Sequence, residues 1–350
     1  MTDFVFERTS KVLLIYTGGT IGMGKNAVTG ALEPLDFNYL IDNLPEFQYL
    51  QTDIDVYQFA TPIDSSDMSP RLWSHLVNII ADNYNRYDGF VILHGTDTMA
   101  YTASALSFML ESLTKPVILT GSQLPIGQLR TDGKENLVTS IDLAAAHHDD
   151  GTPMVPEVCV YFSGKLLRGN RATKQNADGF NAFESFNYPA LCDAGINFNF
   201  HTHRILRPDF TRAMIPHTAT DANTIVLSIF PGIQESLLRH VIEAPELRSI
   251  VMRSYGSGNA PQHPWLLQLL NEASKRGVVV VNISQCIAGS VEMERYDTGF
   301  QLKNAGVVSG YDSTVEAALT KLMHLQALHR DSNLIRQLMN QSIAGEISVG

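Results

Sequence analysis

The most constraining feature of this sequence is a short apolar run that ends in a glycine-containing turn and recurs through the first half of the chain. The runs cover residues 12–16, 91–93 and 117–119, and helical periodicity follows at about 70–86 and 98–113. An apolar run of this length, bounded by a turn, is typical of a strand buried on both faces. Alternating strands and helices predict a parallel, doubly wound sheet, which binds ligands where its strands end.

The same alternation returns in the last third of the chain, after a polar stretch at 193–220 that predicts an extended connector. With 350 residues, the chain can bury two cores. We therefore predict an α/β protein of two α/β domains, a larger N-terminal one with a doubly wound, mostly parallel sheet and a smaller C-terminal one with a parallel sheet. The predicted bounds are 1–200 for the domain with the catalytic turns, 201–221 for a linker and 222–350 for the C-terminal domain.

Charge and cysteine content narrow the possible partners. The formal net charge is −11 and there is no basic run, so we expect no nucleic acid and no membrane surface as partner. Cys159, Cys192 and Cys286 have no metal-ligand spacing, and the histidines show no HExxH motif, so we expect neither metal nor cofactor. The apolar run at 12–16 is too short to span a membrane and no secretion signal is recognised, which predicts a cytoplasmic protein.

Chemistry is expected in the turns that follow the strands. The first turn carries Thr17, two glycines and Thr20, and glycines let backbone N–H groups approach a ligand closely. It does not fit a phosphate loop, because GxxxxGK[ST] is absent. The alternative for Thr20 is an ordinary turn threonine that bonds to the backbone.

Two further turns are rich in hydroxyls and carboxylates. Asp64, Ser65 and Ser66 lie in the second, and His94-Gly95-Thr96-Asp97-Thr98 forms the third. Capping of the following helices is the alternative role for these side chains. Capping does not require three turns to bring such groups to one edge of the sheet, so their convergence predicts a site. Lys174 follows a later predicted strand, with a solvated surface lysine as the alternative.

These motifs resemble those of the bacterial type I L-asparaginases, and the likeness covers nearly the whole chain. Thr17-Gly18-Gly19-Thr20-Ile21-Gly22 is similar to the first signature of that family, and His94-Gly95-Thr96-Asp97-Thr98 is similar to the second. Three other segments match in the same order, namely 64–68, 168–174 and 253–261. The resemblance implies an asparaginase-like fold, hydrolysis of L-asparagine to L-aspartate and ammonia, and a homodimer or homotetramer.

The resemblance also implies a role for each matching residue. Thr20 would be the nucleophile that forms a covalent acyl-enzyme, with Thr96, Asp97 and Lys174 as second hydroxyl, supporting carboxylate and base. Asp64, Ser65, Ser66, Thr96 and Asp97 would bind the substrate, Ser65 at its α-carboxylate and Asp97 at its α-amino group. Where the family has an activating tyrosine, this chain carries Gly30-Ala31-Leu32, and neither Tyr16 nor Tyr39 stands at the matching position. The group that activates Thr20 is therefore not assigned.

A second, regulatory site is implied by the same resemblance. Asparagine would bind there as an activator, at Thr173, Arg253, Asn259 and Cys286. A structural ion pair is the alternative role for Arg253.

Three other functions stay open at this point. A glutaminase, or the asparaginase-like subunit of a tRNA-dependent amidotransferase, would use the same chemistry, and asparagine and glutamine differ by only one methylene. That difference is worth about 1–3 kcal/mol in a binding pocket. A catalytically inactive amino-acid sensor is the non-enzymatic alternative, and the intact Thr20, Thr96, Asp97 and Lys174 argue against it.

Overall fold

The computed structural model of this chain describes residues 9–25, 32–34, 44–295 and 297–349. The chain divides into two compact units: an N-terminal unit of Met1–Ala103, Leu110–Ser185 and Pro189–Pro216, and a C-terminal unit of Ser104–Met109, Phe186–Tyr188 and His217–Gly350. Two short stretches from the first half of the sequence thus belong to the C-terminal unit. The domain bounds 1–200, 201–221 and 222–350 stay a prediction.

Fourteen strands and three helices precede residue 217 in the described ranges. The strands are β1 Ser10–Gly18, β2 Met23–Lys25, β3 Leu32–Pro34, β4 Thr52–Ile63, β5 Gly89–Leu93, β6 Leu110–Glu111, β7 Val117–Thr120, β8 Val158–Phe162, β9 Lys165–Arg168, β10 Thr173–Lys174, β11 Phe183–Glu184, β12 Cys192–Ala194, β13 Phe198–Phe200 and β14 Ile215–Pro216. The helices are α1 Pro70–Asn83, α2 Met99–Met109 and α3 Gly133–Ala145.

One large sheet organises the N-terminal unit. Its eight strands lie in the order β13-β12-β9-β8-β7-β5-β1-β4. The five from β8 to β4 run parallel, and β9, β12 and β13 add antiparallel pairs at the other end. All residues of β5, β7 and β8 are buried, as expected for strands covered on both faces. The prediction of a doubly wound, mostly parallel sheet is confirmed.

Helix α1 shows how the sequence pattern buries one face of a helix. Its buried side chains, Trp73, Leu76, Val77, Ile79 and Ile80, recur every three or four residues and form one apolar stripe. Full burial of one such side chain contributes about 1.5–3 kcal/mol. The helix begins after Ser69, with proline at its first position, where the missing N–H costs nothing.

The C-terminal unit is a smaller α/β layer. Its strands are β15 Thr224–Ser228, β16 Ser249–Ser254, β17 Val279–Ser284 and β18 Val308–Ser309, which pair in parallel in that order. Its helices are α4 Glu235–Ile242, α5 Pro264–Lys275, α6 Asp297–Asn304, α7 Val315–Leu328 and α8 Ser332–Met339. Two apolar clusters contain the buried hydrophobic side chains of this sheet. This confirms the predicted second, smaller parallel-sheet layer.

The helix predicted at 98–113 ends earlier, at Met109. Leu110 and Glu111 instead pair with Ile215 and Pro216, and Ser112 has a positive φ of 58°, which an α-helix does not tolerate. Within the described ranges, no helix combines the length and the apolar character needed to cross a bilayer.

Candidate active site

The first and third turns are in backbone contact. Gly18 and Gly19 have φ values of 130° and 91°, a region that favours glycine. A Cβ atom on Gly19 would lie 2.6 Å from the backbone N of Gly95. The Thr17 hydroxyl donates to the Leu93 carbonyl oxygen at 2.8 Å, which ties the end of β1 to the end of β5. The two glycine-containing signatures therefore form one surface.

The second turn joins them through Ser65. This serine is buried, and a Cβ atom on Gly95 would lie 2.5 Å from its Oγ atom. The Thr98 hydroxyl donates to the Ser65 carbonyl oxygen at 2.6 Å. The predicted meeting of three turns at one edge of the sheet is thus present.

The two neighbours of Ser65 bond to each other. The Asp64 carboxylate accepts hydrogen bonds from the backbone N and the hydroxyl of Ser66, each at 2.9 Å. This is the side-chain turn that aspartate often forms, and it caps the 3-10 turn Ser65–Asp67. Both side chains are exposed, and their role in substrate binding stays a prediction.

Lys174 lies at the centre of the candidate site. Strand β10 pairs with β11 in a hairpin that carries this lysine. Its Nζ atom donates to Oγ1 of Thr96 at 2.8 Å and to Oδ1 of Asp97 at 2.7 Å. The Lys174 side chain is 20% exposed and that of Asp97 is 66% exposed. Lys174 thus bonds to the two residues with which the resemblance associates it. This differs from the alternative interpretation, in which Lys174 is a solvated surface lysine.

Thr20 opens the 3-10 turn Thr20–Gly22 immediately after Gly19 and is half-buried. Because Gly19 is in contact with Gly95, the backbone of Thr20, the next residue, also lies close to the third turn. The role of its hydroxyl stays a prediction.

A fourth turn, which the sequence interpretation did not use, also reaches this site. It follows β7 and contains Gln123. The Thr96 hydroxyl donates to Oε1 of Gln123 at 3.3 Å, while Nε2 of Gln123 donates to the carbonyl oxygens of Ala177 and Gly179 at 3.0 and 3.1 Å. The apolar run at 117–119 predicted a strand that ends just before this turn. The polar residues of the turn were therefore the sequence signal that could have identified Gln123.

Asp132 holds the fourth turn in shape from the N-terminus of α3. Its Oδ1 and Oδ2 atoms lie 3.1 and 3.0 Å from the backbone N of Gln123, which donates to them. Oδ1 also accepts from the backbone N of Leu124 at 3.2 Å. A carboxylate is well placed here, because the N-terminal end of a helix favours negative charge. The backbone of Gln123 is therefore fixed independently of its side chain.

His94 is a buried residue that holds the third turn in shape through its hydrogen bonds. Its Nδ1 atom lies 2.7 Å from the Gly95 carbonyl oxygen, so that nitrogen carries the proton. Its Nε2 atom then accepts from the Thr102 hydroxyl at 2.9 Å, and Thr102 in turn accepts from Nε1 of Trp73 at 3.1 Å. Burial lowers the pKa of His94 to about 4, which keeps the ring neutral at pH 7.

Tyr16 is bonded inside the first signature. Its hydroxyl donates to the Gly22 carbonyl oxygen at 3.3 Å, and burial raises the pKa of Tyr16 to about 12. A phenol in this state is a poor proton acceptor near neutral pH. Gly30, Ala31 and Tyr39 lie outside the described residues, so the group that activates Thr20 is not assigned.

The predicted effector residues fall in both units. Arg253, Asn259 and Cys286 lie at or just after the ends of β16 and β17 in the C-terminal unit, whereas Thr173 lies on β10 in the N-terminal unit. Oδ1 of Asn259 accepts from the Thr298 hydroxyl at 2.5 Å. Within the described part of the chain, the buried Nε atom of Arg253 has no hydrogen-bond partner. These four residues stay a prediction.

Over the ranges that the structure describes, no group of three or more His, Cys, Asp and Glu side chains is arranged to hold an ion.

Thr20, Thr96 and Asp97 follow the carboxyl ends of parallel strands, and Lys174 of the β10–β11 hairpin bonds to the last two. Polar groups gathered at this edge of a parallel sheet are typical of the active sites of α/β hydrolases. Two family models match the chain: "Asparaginase, N-terminal" over residues 11–206 and "Glutaminase/Asparaginase C-terminal domain" over residues 223–339. The chain belongs to the asparaginase family, and the resemblance carried by the turn motifs is confirmed.

Individual relatives agree with the family models. The chain is 45% identical to L-asparaginase 1 of Escherichia coli over 346 residues, which cover 96% of this chain and 98% of that protein. The crystal structure of L-asparaginase I from Vibrio cholerae matches with a TM-score of 0.88 at 41% identity, over 98% of this chain and 100% of that one. A probable cytoplasmic L-asparaginase from Campylobacter jejuni matches with a TM-score of 0.79 at 25% identity, over 95% of this chain and 100% of that one.

Proposed function

We propose that this protein is an L-asparaginase that hydrolyses L-asparagine to L-aspartate and ammonia. The observation that carries the proposal is the network in which Lys174 Nζ donates to Thr96 and Asp97. This network lies next to the contact between Gly19 and Gly95, which brings the first signature to the same place.

The substrate would be held by its α-amino and α-carboxylate groups. Asp97, with two thirds of its side chain exposed, offers a carboxylate to the substrate ammonium. Ser65 would bind the substrate carboxylate, with Asp64 and Ser66 at the rim of the pocket. Held at both groups, the side-chain amide would have a fixed position, which lowers the entropy cost of attack.

Thr20 would act as the nucleophile. Its oxygen attacks the side-chain amide carbon, and backbone N–H groups of the glycine turns stabilise the tetrahedral oxyanion. The C–N bond then breaks, ammonia leaves with the proton it needs, and a β-aspartyl ester of Thr20 remains. Water attacks this ester, which releases aspartate and restores the Thr20 hydroxyl.

Lys174 and Thr96 would move the protons in both steps. An amine accepts a proton only when it is neutral, and the Lys174 ammonium lies 2.7 Å from the Asp97 carboxylate, whose negative charge attracts it. Binding of the substrate ammonium to Asp97 would offset that attraction. Thr96, bonded to Lys174 at 2.8 Å, is placed to relay the proton.

Ammonia release from asparagine and from glutamine, over a wide concentration range, tests the function and its alternatives. Faster release from asparagine is expected, equal rates would favour a glutaminase-asparaginase, and no release from either would favour the inactive sensor.

Hydroxylamine tests the intermediate, because it converts a β-aspartyl ester to a hydroxamate. Thr20→Val should lower kcat by about two decades or more and abolish the hydroxamate, and near-normal turnover would show that another group is the nucleophile.

The proposal extends to assembly and regulation. The protein would work in the cytoplasm as a homodimer or homotetramer, and a second asparagine would activate it at Thr173, Arg253, Asn259 and Cys286. Sedimentation of the purified protein checks the assembly, and a monomer would contradict it. A sigmoidal dependence of rate on asparagine concentration, lost in Arg253→Met, is expected for the effector site, whereas a hyperbolic curve at all concentrations argues against it.

A further inference from the structure

We infer that Gln123 is a positioning residue of the proposed reaction, which holds the Thr96 hydroxyl proton and thereby turns the lone pairs of Thr96 toward Lys174 and the substrate pocket. This inference rests on the proposed function. It follows from the hydrogen bonds that connect Thr96 to Lys174 and to Gln123, and Gln123 to the loop between β10 and β11.

The orientation of the Gln123 amide is fixed by its partners. Its Nε2 atom lies 3.0 and 3.1 Å from the carbonyl oxygens of Ala177 and Gly179, and a carbonyl oxygen only accepts. Both amide protons are therefore used there. Oε1 must face Thr96, because an exchange of the two amide atoms would set an acceptor against two other acceptors.

The single proton of Thr96 then has one available direction. Nζ of Lys174, as an ammonium, donates to Oγ1 of Thr96 at 2.8 Å and occupies one lone pair. Oε1 of Gln123, at 3.3 Å, accepts the Thr96 proton. The remaining lone pair of Thr96 is free to accept from substrate or water. The long contact to Gln123 is weak enough for the proton to turn toward Lys174 once that amine is neutral.

Gln123 also ties the hairpin that carries Lys174 to the fourth turn. Ala177 and Gly179 lie in the loop between β10 and β11, three and five residues after Lys174. The Asp132 carboxylate holds the backbone of Gln123 in place on the other side. A substitution of the Gln123 side chain therefore removes its contacts while the main-chain anchor of the turn persists.

Gln123→Met and Gln123→Glu should act in opposite directions on the protonation of Lys174. Methionine offers no strong acceptor, so the Thr96 proton loses its partner while Lys174 is an ammonium, and the neutral amine is favoured. Glutamate adds a negative charge near the ammonium and favours it. The rise in Gln123→Glu follows from the added charge alone, so the fall in Gln123→Met is the result that separates the inferred role of Gln123 from a purely structural one.

Competitive labelling of Lys174 with an amine-reactive reagent, followed by mass spectrometry as a function of pH, measures this directly and needs no turnover. The pH of half-maximal labelling should fall by about half a unit to one unit in Gln123→Met and rise by a similar amount in Gln123→Glu. In a protein that releases ammonia, the acidic limb of kcat should move in the same directions, with KM changed less than kcat. Gln175→Met is the matched control, because Gln175 bonds to Asn181 in the same hairpin and should leave both profiles unchanged.

A labelling profile of Gln123→Met that coincides with that of the unsubstituted protein would overturn the inference, whether or not ammonia is released. Absence of ammonia release by the unsubstituted protein would overturn the proposed function alone. If Gln123→Met does not fold, Gln123→Ala decides, since it also removes the acceptor, and an unmoved labelling profile in that variant contradicts the role of Oε1.

Discussion

Gly19 and Gly95 lie in backbone contact, so close that a Cβ atom on Gly19 would be 2.6 Å from the backbone N of Gly95. This contact makes one surface of two segments that are 76 residues apart in the sequence. We therefore expect both the geometry and the stability of the candidate site to depend on it.

We expect Gly19→Ala to destabilise the protein and to lower kcat. The added Cβ atom meets the backbone of the third turn, which cannot move without displacing Thr96, and such overpacking costs about 1–3 kcal/mol. Gly232→Ala is the matched control, because Gly232 has nearly the same φ, 93° against 91°, with nothing within 4 Å of the added atom. Urea denaturation should show the larger loss for Gly19→Ala. Equal losses would mean that only the backbone angle matters.

Lys174→Met should lower kcat by about two decades or more, because the proposed proton relay through Thr96 loses its end group. Lys165→Met tests whether any lysine in this region has that effect, since Lys165 forms an ion pair with Glu184 at 3.0 Å but its side chain is 45% exposed. We expect that control to keep nearly full activity, since exposed ion pairs contribute little. Steady-state kinetics on both variants checks the prediction, and full turnover by Lys174→Met would remove this residue from the mechanism.

Stability should decline as pH falls below about 6.5, in part because of His94. Burial lowers the pKa of its folded form to about 4, so the unfolded chain binds a proton that the folded one does not. This contribution is present in full above the unfolded pKa of about 6.5 and is lost as pH falls toward 4. Between pH 7 and pH 4.5 the loss should be about 2–3 kcal/mol, measured by urea denaturation.

The control for this pH effect is a pair of glutamine variants. His94→Gln should lack this part of the pH dependence, whereas His148→Gln, at an exposed position, should keep it. Identical pH dependence of the free energy of unfolding in both variants would contradict the assignment to His94.

A buried ion pair in the C-terminal unit should govern the stability of that unit. Lys321 Nζ and Glu346 Oε1 lie 2.5 Å apart, each side chain 1% exposed, and Glu346 also accepts from the backbone N atoms of Ile343 and Ala344. Glu346→Gln should cost about 3–5 kcal/mol, because it leaves the Lys321 charge buried without its counterion. Lys321→Met combined with Glu346→Gln should recover part of that loss in urea denaturation. Additive losses would show that the two charges are not coupled.

The fold class was predictable because the two periodicities of the sequence are local. Apolar runs at 12–16, 91–93 and 117–119 became buried strands of one mostly parallel sheet, and the apolar stripe of α1 is buried, as its helical periodicity predicts. The antiparallel strands β9, β12 and β13 were not predicted, since short strands of this kind carry little pattern of their own. The helix expected to reach 113 ended at Met109, where pairing with Ile215 and Pro216 prevailed over helix propensity.

The sequence by itself determined the family, the α/β class and the turns in which hydroxyl and carboxylate groups stand, because strand ends and glycine turns are encoded by neighbouring residues. Only the tertiary structure decided that Lys174 bonds to Thr96 and Asp97, that Gln123 faces Thr96 and that His94 holds the Gly95 carbonyl. Donor and acceptor directions depend on which distant segments meet. The packing of the whole sheet determines which segments lie together, and this cannot be read from residues that are neighbours in the chain.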